Sequence, residues 1–414
     1  MLRKNTNFRN LFLGGLFTNF GDSLVYIVFM WILYEITKNS LYTGIAAFFF
    51  SLPTVIGIFW GPVVDRFDNR KLLKRCALFS LIGLFLLLAL TLVLGMNPLV
   101  ILTFIPILAF STELTYPIGE NLLPKVVNRH DLTKANSLIM AASTGADLLF
   151  NAISAFILSF LAFEHLLLSM LFVMAGAYFF FRRVHYHHSR SEITEAEDEG
   201  SATYFQDLKE GLSFVKQPLV LLLLAPLVLL NIVYAIFYVA LPEFVNLYFD
   251  QASIYGIILT LFGVGSLLGT MLSDYLSSKI KIGHLVSSCY FTAGVLWTLA
   301  LVALQLRWFI FAAFFAVISS MANGVVNVTY AVLFQKLPDE NMIGRVHTIN
   351  MTLVCSAMPV ASLLGGFLVE QFGSFQVILY SGLSLALISA LVLLSKRFRK
   401  LPLVLELESV EHYN

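Results

Sequence analysis

The sequence predicts an all-α integral membrane protein with twelve transmembrane helices in two six-helix pseudo-repeats. The 414 residues are 58% hydrophobic and only 12% charged, with a mean hydropathy of +0.84. A soluble domain is about 45–50% apolar and about 25% charged. Twelve apolar segments are long enough to cross a bilayer, which takes about 20 helical residues. One polar stretch divides them into two groups of six.

We number these segments spans 1 to 12. They lie at residues 11–34, 41–63, 76–95, 98–120, 137–161, 165–181, 218–241, 254–276, 284–305, 308–334, 347–369 and 375–395. Residues 1–181 are predicted to form an N-terminal six-helix bundle and residues 217–400 a C-terminal one. The polar stretch 182–216 is a predicted cytoplasmic linker, and its hydrophobic residues after Tyr204 have the spacing of an amphipathic surface helix. Residues 401–414 form a predicted cytoplasmic tail.

Basic residues are distributed unevenly around the spans. If the N-terminus is cytoplasmic and the spans alternate, only Lys38 and Arg307 of the 26 Lys and Arg fall on the outer side. This asymmetry follows the positive-inside rule. We therefore expect a multi-pass protein of the plasma membrane with both termini in the cytoplasm.

Two short motifs correspond between the halves. The end of span 2 has the sequence GIFWGPVVD, with Gly57 and Gly61, and the end of span 8 has GSLLGTMLSD, with Gly265 and Gly269. Small residues four apart allow two membrane helices to approach closely. Two repeated six-helix halves are typical of transporters, whose substrate site lies near the bilayer midplane.

Three acidic residues lie in the interiors of predicted spans, away from the span ends, and no span interior contains a Lys or Arg. They are Asp22 in span 1, Glu113 in span 4 and Asp147 in span 5. An ionised carboxylate in the middle of a membrane costs roughly 2.5–3.5 kcal/mol on insertion scales, so such residues usually have a function. These three are candidates for proton coupling. The alternative for each is a purely structural hydrogen bond. This alternative has the most support at Asp147, because Ser143 is a neighbour on the same helix.

Further polar residues form stripes at helical spacing on four spans. Large numbers of aromatic residues beside few polar ones suit a bulky amphiphilic ligand. Packing between helices explains the Asn and Tyr residues equally well. The candidate substrate-cavity residues are Asn19, Tyr26, Tyr116, Glu120, Asn231, Tyr234, Tyr238, Asn323, Asn327 and Tyr330.

The loop after span 2 has the sequence GPVVDRFDNRKLL. It resembles the signature G-x-x-x-D-R-x-x-R-[RK] of the major facilitator superfamily. The form DRFDNRK is most similar to the macrolide-efflux-type, drug:proton antiporter branch, where DRxDRR is usual and Asn69 would be Arg. FGD at 20–22, LTKANSL at 132–138 and GRV at 344–346 also resemble that branch. The matching signature residues are Gly61, Asp65, Arg66, Arg70 and Lys71.

The resemblance implies the major facilitator fold, with spans 1, 4, 7 and 10 lining a central cavity. It also implies that the five signature residues form a gating loop in which Asp65 caps span 11. Span 5 differs from the antiporters of the family, which often carry a Gly-Pro motif where this chain has LLFNAISA.

We therefore expect a secondary active transporter that exports a hydrophobic or amphiphilic small molecule by alternating access, coupled to proton antiport. A proton-coupled uptake symporter and a non-transporting membrane sensor on the same fold are the alternatives. The sequence has no Walker loop, HExxH or GxSxG motif, so we expect no enzyme and no catalytic residues. We expect no metal site and no cofactor, with the proton gradient as the energy source. The expected partners are a small-molecule substrate, protons and membrane lipids, without nucleic acid, and the expected state is a monomer.

Overall fold

A computed structural model describes residues 2, 5–60, 64, 67–185, 213–337 and 343–406. Within these ranges the chain consists of helices and short connections and has no β-strand. Ten helical stretches in the described residues are long and apolar enough to cross a membrane, when the two consecutive helices of span 4 and those of span 11 are each counted as one stretch. Two shorter apolar stretches, Ser40–Ile56 and Leu149–Leu158, occupy the positions of spans 2 and 5. The predicted all-α membrane fold is therefore confirmed.

The chain divides into two compact units. Unit 1 comprises Met1–Phe205 with Gln251–Gly256, and unit 2 comprises Gln206–Asp250 with Ile257–Asn414. Most of the predicted linker and its amphipathic helix, and the last eight residues of the predicted tail, lie outside the described residues. The exact bundle and linker boundaries therefore stay predictions.

Unit 1 contains spans 1 to 6. The α-helix of span 2 is followed by a single 3-10 turn, Gly57–Phe59, and then by Trp60, which is again helical; the predicted end of the span at residue 63 lies outside the described residues. Span 4 is two helices instead of the predicted one. The bounds are Thr6–Thr37 for span 1, Ser40–Ile56 for span 2, Asn69–Leu94 for span 3, Pro98–Glu113 and Thr115–Val126 for span 4, Leu132–Leu158 for span 5 and Phe163–Arg182 for span 6.

Unit 2 contains spans 7 to 12. Span 7 is eight residues longer than predicted, and span 11 is again two helices. The bounds are Pro218–Phe249 for span 7, Ala252–Ser277 for span 8, Ile282–Gln305 for span 9, Phe309–Lys336 for span 10, Ile343–Cys355 and Met358–Phe372 for span 11, and Ser374–Leu394 for span 12, with the short helix Lys396–Arg399 after it.

Short polar side chains start the first four spans. Asn5, Asn39, Asp68 and Asn97 stand immediately before the helices, and each side chain accepts a hydrogen bond from a backbone N–H of the first turn. Such caps satisfy donors that have no partner inside the helix. In span 4 the cap is followed by Pro98, whose missing N–H costs nothing at the first helical position.

The break in span 4 follows from Pro117. A proline has no N–H, so the carbonyl of Glu113, four residues earlier, cannot receive its normal helical hydrogen bond. The first helix ends at Glu113 and the second begins at Thr115, with Leu114 between them. The break thus places a membrane carboxyl group at a helix end.

Spans 8 and 10 pack with their backbones in close contact. A Cβ atom at Gly265 would meet the Ser320 hydroxyl and the Val317 carbonyl oxygen, and one at Gly269 would meet the Met321 carbonyl oxygen. The predicted small-residue packing is therefore confirmed for span 8. In span 2 it is not found at Gly57, because the nearest atoms there belong to Trp60 in the same turn; Gly61 lies outside the described residues.

This packing predicts the effect of adding one methyl group to span 8. We expect Gly269→Ala to lower the free energy of unfolding by about 1–3 kcal/mol, because backbone atoms of span 10 must move to admit the methyl group. Gly145→Ala in span 5 is the control, since no heavy atom lies within 4 Å of its added Cβ. Thermal unfolding in detergent measures both variants. Equal stability of the two variants would contradict the packing described.

Candidate functional site

Spans 1 and 4 bring two of the predicted site residues together in unit 1. The Tyr116 hydroxyl donates a hydrogen bond to Oδ2 of Asp22, over 2.8 Å. Asp22 is half-buried and Tyr116 is 41% exposed. The two residues are 94 positions apart in the sequence, so the fold, not local spacing, makes this pair.

A second membrane carboxyl group has the same kind of partner. The Thr54 hydroxyl in span 2 donates to Oε1 of Glu113, over 3.1 Å. Glu113 is half-buried at the end of the first helix of span 4. Unit 1 therefore holds two carboxyl groups, each bound to a neutral hydroxyl from a neighbouring span.

Aromatic rings line the spans that carry these pairs. Tyr26 packs edge-on against Phe50 of span 2 with ring centroids 5.2 Å apart, and Trp60 packs against Phe110 at 5.9 Å. The indole nitrogen of Trp60 is buried and has no hydrogen-bond partner among the described residues. It is a donor that a bound molecule could use.

The other predicted residues of unit 1 are placed differently. Asn19 is half-buried on span 1, and Glu120 is exposed near the end of span 4. Asp147 belongs to span 5, but its side chain lies outside the described set. The structure therefore joins Asp22 with Tyr116 and leaves the roles of these three residues as predictions.

An aromatic cluster occupies unit 2. Trp297 of span 9 lies at its centre, with ring centroids 4.1 Å from Phe237, 5.4 Å from Tyr234 and 5.8 Å from Phe262. Tyr238 lies next to both Tyr234 and Phe237 on span 7. The predicted residues Tyr234 and Tyr238 thus belong to a joint aromatic surface of spans 7, 8 and 9.

The amides of spans 7 and 10 differ in their surroundings. Asn231 donates to the Leu227 carbonyl one turn earlier, over 2.9 Å, which is a bond within its own helix. Asn323 is half-buried, and its carbonyl oxygen has no hydrogen-bond partner among the described residues. Asn327 is exposed, whereas Tyr330 is 2% exposed and stacks on Phe334. The Tyr330 hydroxyl likewise has no hydrogen-bond partner among the described residues, but it is fully buried, whereas Asn323 is half-buried.

Comparison with known proteins identifies the family. The family model described as Major Facilitator Superfamily matches residues 11–362. The chain belongs to this superfamily. It is a membrane transporter, and it is similar to two proteins of Bacillus subtilis (strain 168). The uncharacterized MFS-type transporter YvqJ is 24% identical over 391 residues, covering 91% of this chain and 89% of YvqJ. The uncharacterized MFS-type transporter YkuC is 26% identical over 415 residues, covering 93% and 90%.

Solved structures of other transporters share the fold at low sequence identity. A mutant of the nucleoside transporter NupG has a TM-score of 0.74 at 13% identity, covering 94% of this chain and 99% of that one. A D-xylose-proton symporter has a TM-score of 0.71 at 15% identity, covering 96% and 98%. A bacterial homologue of the iron transporter ferroportin, in an inward-facing state, has a TM-score of 0.70 at 17% identity, covering 93% and 98%. At these identities the likeness establishes the fold alone.

The superfamily signature of this transporter is described only in part. Gly61, Asp65 and Arg66 lie outside the described residues, so their gating role stays a prediction. Arg70 and Lys71 form the first turn of span 3, where their backbone N–H groups donate to Oδ1 of Asp68 over 3.0 and 3.2 Å. The Lys71 ammonium also lies 3.5 Å from Asp68 Oδ2.

Asn69, which departs from the family pattern, has a structural partner in this transporter. Its Nδ2 donates to Oδ1 of Asn121 in span 4 over 2.8 Å, and the side chain is only 5% exposed. Val64 is also buried, in a hydrophobic core with Phe8, Leu73 and Ile118. The signature loop is therefore attached to unit 1 by an amide pair and an apolar anchor.

Several residues of the site were not predicted from the sequence. Thr54 and Trp297 carry no charge and stand in apolar runs, so nothing local distinguishes them. Glu243 was placed beyond span 7, but the helix continues through Pro242 and buries it at 8% exposure. Its Oε1 accepts a hydrogen bond from the Ser374 backbone N–H at the start of span 12, over 3.3 Å. Only Asp68 had a recognisable signal, an acid directly before a helix.

The Asn69–Asn121 pair predicts a measurable coupling energy. We expect Asn69→Ala and Asn121→Ala each to destabilise the protein, because each leaves a polar partner without its hydrogen bond. The double variant should lose about 1 kcal/mol less of the free energy of unfolding than the two single losses added together. Thermal or denaturant unfolding of all four proteins in detergent gives this number. Strictly additive effects would show that the two amides do not interact.

Proposed function

We propose that this transporter is a secondary active exporter of the drug or macrolide type. It would move a hydrophobic or amphiphilic small molecule by alternating access, in exchange for protons. The observation that carries the proposal is the pair of membrane carboxyl groups in unit 1, Asp22 and Glu113, each bound to a neutral hydroxyl.

A hydroxyl partner suits a carboxyl group that gains and loses a proton. When the carboxylate is ionised, the hydroxyl of Tyr116 or Thr54 donates to it, as in the structure. When the carboxyl group is protonated, it becomes a donor and the same hydroxyl can accept. The pair therefore keeps a hydrogen bond in both protonation states. A Lys or Arg partner, by contrast, has no acceptor atom and would hold the carboxylate ionised.

The character of the substrate follows from the surfaces available to it. Trp297 and Phe237 are buried at 3% and 2% exposure, so the half-buried rings of Tyr234, Tyr238 and Phe262 around them are the part of the aromatic cluster that a substrate could contact. Ligand sites of this composition, mostly apolar with few polar groups, take hydrophobic molecules and orient them by those few groups. The predicted span interiors contain no Lys or Arg, which disfavours phosphates and dicarboxylates because Arg is the usual partner of such anions.

The direction of transport rests on sequence resemblance. The loop form DRFDNRK and the FGD motif of span 1 resemble the macrolide-efflux-type branch, which favours export. An uptake symporter could use the same carboxyl groups, so the deciding experiment must report direction. We further propose that the transporter is a monomer in the plasma membrane with both termini in the cytoplasm.

Transport by the purified protein in liposomes tests the proposal. The liposome interior is made acidic, and a panel of lipophilic dyes and macrolides is added outside. Antiport predicts that protons leave as the substrate enters, so the substrate accumulates inside beyond the level in protein-free liposomes. In liposomes preloaded with the same compounds, protein-dependent movement of substrate out of the acidic interior would identify a symporter. No flux of any compound, together with no proton movement on substrate addition, would refute proton-coupled transport of these compounds.

Asp22→Asn removes the exchangeable proton while keeping the shape of the side chain. We expect gradient-driven uptake to fall to the level of protein-free liposomes, whereas dye binding in detergent and the melting temperature stay close to wild type. Asp131→Asn is the matched control, because the Asp131 side chain makes no capping hydrogen bond at the start of span 5. Undiminished transport by Asp22→Asn would show that Asp22 is only a structural hydrogen-bond acceptor and does not couple transport to protons.

A further inference from the structure

The chain continues after span 12 as a short segment that folds back onto unit 2. We call residues 395–406 the strap. It begins with the helix Lys396–Arg399, whose first turn is capped by the Ser395 hydroxyl accepting from the Phe398 N–H over 3.3 Å. It ends in a single 3-10 turn, Val404–Glu406.

The strap is attached to spans 9 and 10 by backbone and side-chain hydrogen bonds. The Ile282 N–H donates to the Pro402 carbonyl over 3.1 Å, which ties the strap to the start of span 9. The Lys336 ammonium, at the end of span 10, donates to the Val404 carbonyl over 3.1 Å. Two separate spans therefore hold the second half of the strap.

Apolar side chains fix the strap more tightly. Phe398, Leu401 and Val404 are 1%, 3% and 4% exposed. Gly283 allows the close approach, because a Cβ atom there would collide with the Phe398 carbonyl oxygen. The strap is thus a docked part of unit 2.

Docking directs four cations outward. Phe398 is buried, while the residues on both sides of it are exposed: Lys396, Arg397, Arg399 and Lys400. The carboxylate of Glu406 accepts from the Leu403 N–H within the strap itself, over 3.3 Å. The docked backbone of the strap therefore holds four exposed cationic residues together, and its one described carboxylate is bound to the strap's own backbone.

The position of these cations relative to the membrane follows from span 12. Exposed apolar residues recur along it every three or four positions, so they form one stripe of the helix surface, the stripe that contacts lipid tails. The stripe ends at Leu394, two residues before the first cation. Its members are Tyr380, Leu383, Leu387, Leu391 and Leu394.

A second marker of the membrane boundary lies at the end of span 8, just before the start of span 9 that holds the strap. The Lys279 ammonium donates to the Tyr275 hydroxyl over 2.9 Å and lies 4.1 Å from the centroid of that ring. Tyr and Lys together at a helix end are typical of the interface between lipid tails and headgroups.

We propose that the strap is a binding surface for acidic phospholipids. Clusters of four or more Lys and Arg directly after a membrane helix attract anionic headgroups. Here the cations are also held in place by Phe398 and the two hydrogen-bonded spans, so little conformational freedom is lost when headgroups bind. This surface is separate from the carboxyl groups and aromatic cluster of the proposed transport function.

Lipid retention by the purified full-length protein tests this proposal. The protein is incubated in detergent with equal amounts of dioleoylphosphatidylglycerol and dioleoylphosphatidylcholine, washed, and analysed for bound lipid by mass spectrometry. We expect the wild type to be enriched in phosphatidylglycerol. One basic residue near an anionic lipid surface strengthens binding to that surface about fivefold. The strap variant Lys396→Gln, Arg397→Gln, Arg399→Gln, Lys400→Gln should therefore lose at least about fivefold of this enrichment.

A control variant removes four cations of unit 1 instead: Lys74→Gln, Arg75→Gln, Lys134→Gln and Arg182→Gln. We expect it to keep the wild-type lipid ratio, and both variants to elute as monodisperse proteins. Inorganic phosphate added at constant ionic strength should not displace the lipid, because free phosphate lacks the acyl chains that also hold a phospholipid on the apolar surface of the protein. An unchanged ratio in the strap variant, an equal loss in the control variant, or displacement by phosphate alone would each overturn the proposal.

Discussion

A polar group inside a membrane-spanning helix must find its hydrogen-bond partner within the protein, because lipid tails offer none. This constraint governs the arrangement of unit 1. Asp22 and Glu113 are bound by Tyr116 and Thr54, which belong to spans packed beside their own. Simpler cases obey the same rule, since the hydroxyls of serine and threonine residues elsewhere in the spans donate to carbonyls one turn earlier, as Thr18 does to Gly14. For the two acids, the hydroxyls that donate belong to neighbouring spans.

The two units contribute different chemistry. Unit 1 holds the hydroxyl-bound carboxyl groups, and unit 2 holds aromatic rings gathered around Trp297 with phenols beside them. The proposed antiport would use both kinds of site: groups that can change protonation, and a surface that accepts a hydrophobic substrate. Pro117 places one of the carboxyl groups at a helix end, because it ends the first helix of span 4 at Glu113. The proposed exchange of a proton for an amphiphile follows from this division.

The amount of structure that could be predicted from the sequence depended on the range of the interaction. Spans 3, 6 and 9 were recognisable because hydropathy is a property of a single segment. Glu243 was missed because it lies beyond the predicted end of span 7 at residue 241, yet the membrane helix continues to Phe249 and the Ser374 N–H at the start of span 12 donates to the acid. The partners Thr54 and Asn121 lie 59 and 52 positions from the residues they bind. No periodicity within one span contains that information, so it appears only when the spans are packed.

The most direct measurement of the central claim is the number of protons released when a transported dye binds the detergent-solubilised protein in weakly buffered solution. If Asp22 and Glu113 exchange protons for substrate, wild-type protein releases protons as it binds the dye. The double variant Asp22→Asn, Glu113→Gln would then bind dye without releasing any. Dye binding by the wild type without proton release, or identical release by the double variant, would contradict the account.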